Sequence, residues 1–526
     1  INLKAILNLP KGTEHFMSDL HGEYEAFYHI LNNAAGVIKE KVDMIFGSRL
    51  SAQERQEICT LVYYPVEKIK LLKEQNAITS YWKLLSSKYT RSKVRKALPP
   101  EFSYIIDELL HAQSDEDNNQ YVYHEKIIDT IIDIGSADAF IEAYTKLIKR
   151  LAVDHLHIVG DIFDRGSNAD RIIELLMKYH SLDIEWGNHD ILWMGAACGS
   201  EACIANVLRN NIKYGNMEIL ENSYGISLRS LILFAEKLYP NLTPMKAALK
   251  AISIILFKLE GQIIMRHPEY NMDDRLLLDK MDLGKGTVCI EGQEYDLNDT
   301  YFPTIDFKQP YVLSEEEQKV MEDLRASFRN SHVLRGHVEF LYEKGSIYRV
   351  YNGNLLFHGC IPLDEKGDLD GIQIGEKFYR GKEYMDYAQR VARLAFYQGT
   401  RPALDFMWYL WCGKKSPLSG RNIKTFERTF VEDKRAWEEA KDPYYRYYQQ
   451  EDVCVRILGE FGLHSSMSHI INGHTPIKVS DGESPVKANN RLIVIDGGFC
   501  KAYQKTTGIA GYTLIYNSHG MRLKAH

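Results

Sequence analysis

The chain has no Cys-x-x-Cys pair, no long apolar run, no basic surplus and no internal repeat. Each absence removes a class of protein. The eight cysteines, Cys59, Cys198, Cys203, Cys289, Cys360, Cys412, Cys454 and Cys500, are scattered over 526 residues. That scatter argues against a zinc site or a thiol catalyst and reads as reduced thiols in the cytoplasm. The most apolar stretch, Ala247 to Leu259, is interrupted by Lys250 and Lys258, so no segment has the roughly 20 apolar residues that a bilayer crossing needs. No signal peptide is visible, in a chain that begins at Ile1 rather than Met. Lys and Arg total 64 against 71 Asp and Glu, a formal charge of -7. A nucleic-acid binder ordinarily carries the opposite balance. The expectation is a cytoplasmic protein with no membrane and no nucleic-acid partner. A local basic pocket for a phosphorylated small molecule remains compatible with that charge.

What is present is a set of short apolar runs, each ending in a polar turn. Glu14–Ser18 leads into Asp19-Leu20-His21-Gly22. His155–Val159 leads into Gly160-Asp161-Ile162-Phe163-Asp164-Arg165-Gly166, and Leu182–Trp186 into Gly187-Asn188-His189-Asp190. Asn354–Phe357 precedes His358-Gly359, and Ser468–Asn472 precedes Gly473-His474-Thr475-Pro476. The runs have the length and composition of buried strands. The polar clusters then fall at strand carboxyl ends, where open α/β sheets place ligands. Arg171–His180 reads as a helix between two strands, giving a βαβ unit. Residues 36–150 and 194–280 look helical, notably Leu228–Leu238 and Met245–Leu259, and helices are expected at Tyr384–Phe396 and Ile423–Glu439. The acidic stretch Ser114–Asn119 reads as a solvated loop. Arg491–Ile495 and Gly511–Tyr516 read as strands completing a second sheet. Because the clusters span residues 19 to 474 with no linker, residues 1–526 read as one catalytic domain. Helical insertions then occupy approximately 36–150, 194–340 and 380–465.

Singly, the clusters are weak signals: Asp-x-His and Gly-His occur by chance, and Gly-Asn-His-Asp makes a turn. Together they supply carboxylate, imidazole and amide oxygen without sulfur, the donors of borderline and hard divalent metals. The expected ligands are Asp19, His21, Asp161, Asn188, His358 and His474. Asp161, with two oxygens, can bridge two ions, joining Asp19 and His21 at one and Asn188, His358 and His474 at the other. Two metals about 3.5–4 Å apart clamp the attacking and leaving oxygens of an in-line displacement and acidify water. Arg165 can fork onto phosphoryl oxygens, beside Asn188. His189, oriented by Asp164, can protonate a leaving alkoxide.

Asp19-Leu-His-Gly, Gly160-Asp-Ile-Phe-Asp-Arg-Gly and Gly187-Asn-His-Asp, followed by His358 and His474, resemble the signature blocks of the calcineurin-like metallophosphoesterases. The resemblance implies an α/β fold with a central β-sandwich flanked by helices. Leu9–Phe27, Glu185–Ala196 and Leu410–Leu418, with the long insertions, are similar to the class III fructose-1,6-bisphosphatases of Firmicutes. That narrower likeness implies hydrolysis of fructose 1,6-bisphosphate to fructose 6-phosphate in gluconeogenesis, with manganese. The implied partner is a sugar bisphosphate, and a homo-oligomer is compatible with the chain. Rival readings are a protein phosphatase, a dinucleoside polyphosphate hydrolase, or a non-catalytic metal-binding scaffold.

A bisphosphate also needs cations away from the metals. Gly413–Arg421, with Lys414, Lys415, Ser416 and Arg421, reads equally as that site and as a solvated basic loop. Arg401 and Lys382 are further candidates. Arg335-Gly336-His337 reads as structural, His15 as a strand residue, and Trp408, Tyr409 and Trp411 as core.

Overall fold

All five apolar runs that precede the polar clusters are strands: Glu14–Met17, His155–Ile158, Leu182–Glu185, Asn354–Phe357 and His469–Asn472. These assignments come from a computed structural model that describes residues 12–74, 98, 100–110, 118–499 and 511–526. The architecture is mixed α/β. One six-stranded sheet has the order Gly520–Ala525, Tyr512–Asn517, Glu14–Met17, His155–Ile158, Leu182–Glu185, Gly345–Ser346. A five-stranded sheet has the order Val486–Lys487, Leu492–Val494, His469–Asn472, Asn354–Phe357, Tyr348–Tyr351.

Register decides which polar ends meet. His469–Asn472 runs parallel to Asn354–Phe357, with Ile471 opposite Leu356, and parallel to Leu492–Val494. Parallel neighbours end on the same side of a sheet, so His358 and His474 leave together. Gly473 N–H donates to His358 O at 3.1 Å, extending the ladder by one bond. The helix between His155–Ile158 and Leu182–Glu185 spans Ala169–Met177 and buries Ile172, Ile173 and Leu176, in keeping with its apolar spacing.

The chain divides into two compact units. The smaller holds residues 1–15, 25–156 and 515–524. Its described helices include Val37–Phe46, Ala52–Tyr63 and Ala137–Ala152. Ile38, Val42, Phe46, Ile58 and Val62 form one buried cluster, and Ile106, Ile131, Phe140 and Leu147 another. The larger holds residues 16–24, 157–514 and 525–526. Its helices include Asn188–Ala197, Glu201–Tyr214, Arg229–Leu238, Pro244–Arg266, Glu315–Asn330, Gly381–Gln398 and Arg401–Cys412. Trp408, Tyr409 and Trp411 are buried, as core residues should be.

Three expectations need correction. Ile423–Glu439 is not one helix: it contains a single turn at Glu427–Phe430 and a 3-10 turn at Lys434–Trp437. The chain spends its hydrogen bonds elsewhere, with Asn298 N–H donating to Phe430 O at 2.9 Å and Leu297 bridging Val431. The two C-terminal strands do not share a sheet. Leu492–Val494 joins the five-stranded sheet, while Tyr512–Asn517 lies beside Glu14–Met17. Glu14–Met17 is buried along its whole length, and a buried strand needs a partner on both edges. The 194–340 stretch is not wholly helical, since Met281–Asp282, Thr287–Ile290 and Gln293–Asp296 form a small antiparallel sheet. Residues 114–117 of the acidic stretch and Cys500 lie outside the described residues, and Asn118 and Asn119 open a helix. The seven described cysteines are free.

Ile471 is fully buried in a strand paired on both edges. Ile471→Ala should lower stability by about 3 kcal/mol, the usual cost of a large-to-small core change, read as a lower urea midpoint at unchanged slope.

Candidate metal centre

The strand ends are drawn together by backbone hydrogen bonds before any side chain takes part. Asp19 N–H donates to Gly160 O at 2.9 Å, His21 N–H to Asp161 O at 2.9 Å, and Gly22 N–H to Ile162 O at 2.8 Å. This locks the first loop onto the second. To turn so sharply, six site residues adopt left-handed backbone: Asp19 (φ 56°), His21 (44°), Asp161 (58°), Asp164 (65°), Arg165 (73°) and His474 (67°). Each such residue costs on the order of 1 kcal/mol, strain of the kind that functional sites hold.

Asp190 organises these loops and had no role assigned from sequence. Its carboxylate accepts the N–H groups of Gly187 (2.9 Å), Asp161 (2.9 Å), Ile162 (2.8 Å) and Phe163 (3.3 Å). Burial, with Asp161 nearby, pushes its carboxyl up to about 6. Its signal was the fourth residue of Gly-Asn-His-Asp. Gly187 is glycine for space: a Cβ there would lie 2.1 Å from Asp161 Oδ1.

The ligand atoms converge on Asp161. Its Oδ2 lies 3.8 Å from His21 Nε2 and 3.3 Å from His358 Nε2. Two sets in the larger unit place ligand atoms within 4.8 Å of one another: His21, Asp161 and His189, and Asp161, His358 and His474. Asp161 belongs to both. Asp19 Oδ1 is 3.8 Å from His21 Nε2, and Asp19 Oδ2 accepts the His474 N–H at 3.0 Å. The other ring nitrogens are occupied by carbonyls, His21 Nδ1 by Phe163 O (3.0 Å) and His358 Nδ1 by Val159 O (2.9 Å). That fixes Nε2 as the nitrogen facing inward. Asn188 Oδ1, His358 Nε2 and His474 Nε2 are buried with no hydrogen-bond partner. Buried polar atoms are rarely left so, and cations supply the missing partner. The donor set and these orphaned atoms fit divalent metal.

Charge at His21 and His474 supports that fit. Burial, then the Arg165 guanidinium, holds His21 well below the ordinary imidazole range, and burial, then Arg421, does the same for His474. Neutral imidazole is the ligand form. Burial opposes charge on both Asp161 and His358, but their mutual attraction outweighs it. The His358 ring is raised to about 10 and the Asp161 carboxyl is held well below its usual range. Burial raises Asp19, next to Asp161, and also raises the buried Asp496, which lies near Asp19.

Beside the cluster, His189 Nδ1 bonds Asp164 Oδ2 at 2.7 Å. Asp164 also accepts Trp193 Nε1–H (2.8 Å) and Asn210 Nδ2–H (3.0 Å). The Trp411 ring stands edge-on to His189, 4.9 Å between centroids. Nothing in the sequence marked Trp193 or Asn210.

The basic loop divides. Lys414 pairs with Asp274 (2.7 Å), and Lys415 with Asp370 (2.8 Å) and Asp442 (3.0 Å). Ser416 is buried and donates to Leu410 O at 2.6 Å. Arg421 alone of the four acts on the cluster, through His474, and it donates to Thr475 Oγ1 at 3.0 Å with its Nε buried and unpartnered. Lys382 pairs with Asp386 at 2.7 Å. His337 bonds Tyr224 at 3.1 Å, in keeping with its structural reading. His15 lies in the first strand, buried.

The sequence model of the Firmicute fructose-1,6-bisphosphatase family matches residues 1–526. A class 3 fructose-1,6-bisphosphatase of Clostridium tetani (strain Massachusetts / E88) is 53% identical over 564 residues, covering 100% of this chain and 85% of the relative. One from Clostridium novyi (strain NT) is 52% identical over 563 residues, covering 100% and 84%. Among solved structures, a cold-active protein-tyrosine phosphatase of a psychrophilic Shewanella is 10% identical, covers 98% of this chain and 80% of that one, and superposes with a TM-score of 0.31. That likeness is too distant to bear on fold or activity.

Asp190→Asn turns an acceptor of several N–H groups into a donor facing them. It should weaken metal binding by about 10- to 100-fold, the usual effect of losing a group that orients metal ligands, measured by metal titration of the purified chain.

Proposed function

The chain belongs to the Firmicute fructose-1,6-bisphosphatase family and hydrolyses fructose 1,6-bisphosphate to fructose 6-phosphate and phosphate, and we propose that it does so at the Asp161-centred cluster with two divalent metals. That membership sets aside the rival readings. The single observation that carries the proposal is that Asp161 is common to both sets of convergent ligand atoms. Asp19, His21 and Asp161 would hold one ion, and Asp161, Asn188, His358 and His474 the other. Manganese is the proposed metal, and gluconeogenesis the proposed setting. Bound there, the ions supply Lewis acidity that activates water and offsets charge on the attacking and leaving oxygens.

The chain's own residues do the rest. Arg165, and Asn188 through its amide, meet the non-bridging phosphoryl oxygens, where a fixed guanidinium is worth more than in water. His189 keeps its Nδ1 on Asp164, so its Nε2 is the atom that hands a proton to the departing sugar oxygen. Trp193 and Asn210 hold Asp164 in place, and Trp411 packs on the ring that moves the proton. Arg421 meets the distal phosphate, with Lys414, Lys415 and Ser416 behind it. We place these roles on one catalytic domain with mainly helical insertions at approximately 36–150, 194–340 and 380–465, the second carrying a small antiparallel sheet, built around a calcineurin-like β-sandwich.

Phosphate release from fructose 1,6-bisphosphate, with manganese and with chelator, tests the reading; chelator should abolish it. Asp161→Ala should lose activity and metal while circular dichroism stays unchanged, and full turnover by that variant would sink the scheme. His189→Gln should lower kcat by about 10²- to 10⁴-fold, the range for a lost general acid, with metal content retained. Loss of metal in that variant would instead make His189 a ligand.

A further inference from the structure

Ser18 stands between the first strand, Glu14–Met17, and Asp19, and it is fully buried. Its Oγ has two acceptors in reach, Asp19 Oδ2 and Val159 O, the second at 3.0 Å. A hydroxyl has one proton to give. A charged carboxylate is the stronger acceptor, and Val159 O already receives the His358 Nδ1–H at 2.9 Å. The Ser18 proton therefore goes to Asp19.

A second donor reaches the same oxygen. The His474 N–H donates to Asp19 Oδ2 at 3.0 Å, from a residue in left-handed backbone. The residue before it presses on the pair: a Cβ on Gly473 would overlap Ser18 Oγ and stand 2.6 Å from Asp19 Oδ2. Oδ2 is thus held by two donors under closely packed backbone. Oδ1 is the oxygen turned to the cluster, 3.8 Å from His21 Nε2.

An Asp carboxylate turns about its last bond with little preference, and that turn exchanges its two oxygens. Two donors on Oδ2 oppose the exchange. Carboxylates that bind metal are ordinarily hydrogen-bonded for this reason. With the His358 Nδ1–H already on Val159 O, the Ser18 hydroxyl is not needed there.

We propose that Ser18 is a positioning residue of the metal centre: with the His474 N–H it fixes Asp19 Oδ2, so that Oδ1 alone meets the ion shared with His21 and Asp161. The inference rests on Asp19 being a ligand of that ion, as given above. Ser18 acts only through Asp19. Its effect is confined to that ion, because His358 keeps its bond to Val159 O without the hydroxyl.

The test titrates the metal-free full chain with manganese and reads the free ion by electron paramagnetic resonance. The native chain should bind about two equivalents. Ser18→Ala should bind one with native affinity and the other about 10- to 100-fold more weakly. Circular dichroism in chelator should match the native chain, since the change removes one oxygen and no backbone bond. Ser18→Cys, which replaces the hydroxyl by a weaker donor, should show the same selective loss and carries the test if the alanine chain does not fold. His21→Ala identifies the ion: adding Ser18→Ala to it should weaken the remaining ion no further. Two unchanged affinities, or two equally weakened ones, overturn the proposal. So does further weakening in the His21→Ala chain. Asp19→Ala separates the two levels. If it binds manganese as the native chain does, Asp19 is no ligand and the reading beneath the proposal fails. If it loses an ion while Ser18→Ala keeps both, the role of Ser18 alone fails.

Discussion

The Asp161 carboxylate, buried between His21 and His358, is the interaction on which the rest depends. A carboxylate removed from water is costly unless positive charge faces it. Here Asp19 adds like charge nearby, while His358 at 3.3 Å faces Asp161 with the opposite charge. The loops that hold this grouping run in left-handed backbone and are closed on one another by main-chain hydrogen bonds. Such strain persists only where the surroundings over-determine it. Asp190 is that constraint in material form, one carboxylate collecting N–H groups from two loops.

The Asp164–His189 pair shows a second layer of support. Asp164 sits in a fixed field of three donors from two helices: His189 and Trp193 from one, Asn210 from the next. Trp411 arrives from a helix some two hundred residues further on. The long helical stretches therefore do more than decorate a sheet. They supply the residues that keep one imidazole in one orientation, which is what proton transfer at a defined atom requires.

Much of this was legible in order along the chain. Strand runs ending in Asp, Asn and His named the ligand types, since strand ends are where such side chains can converge. Helix periodicity located Arg229–Leu238 to within a residue and the start of Pro244–Arg266, which runs on past the expected end at Leu259. Where legibility failed, pairing across long separations decided. Ile423–Glu439 carries helix-forming residues, yet its backbone is drawn to Leu297 and Asn298. Lys414 and Lys415 read equally as a phosphate site and as a solvated loop, and Asp274, Asp370 and Asp442 pair with them from distant segments.

The sequence by itself determined the chemistry of the centre: which residues carry oxygen and nitrogen donors, and that each stands just past a strand. It could do so because a ligand's donor atom and a strand's apolar run are local properties. Only the tertiary structure decided that Asp190 gathers the N–H groups of two loops, that Lys414 and Lys415 pair with carboxylates from distant segments, and that Asn210 and Trp411 attend the Asp164–His189 pair. Those depend on which distant segments share a hydrogen bond or a buried charge, and sequence order does not encode such distances.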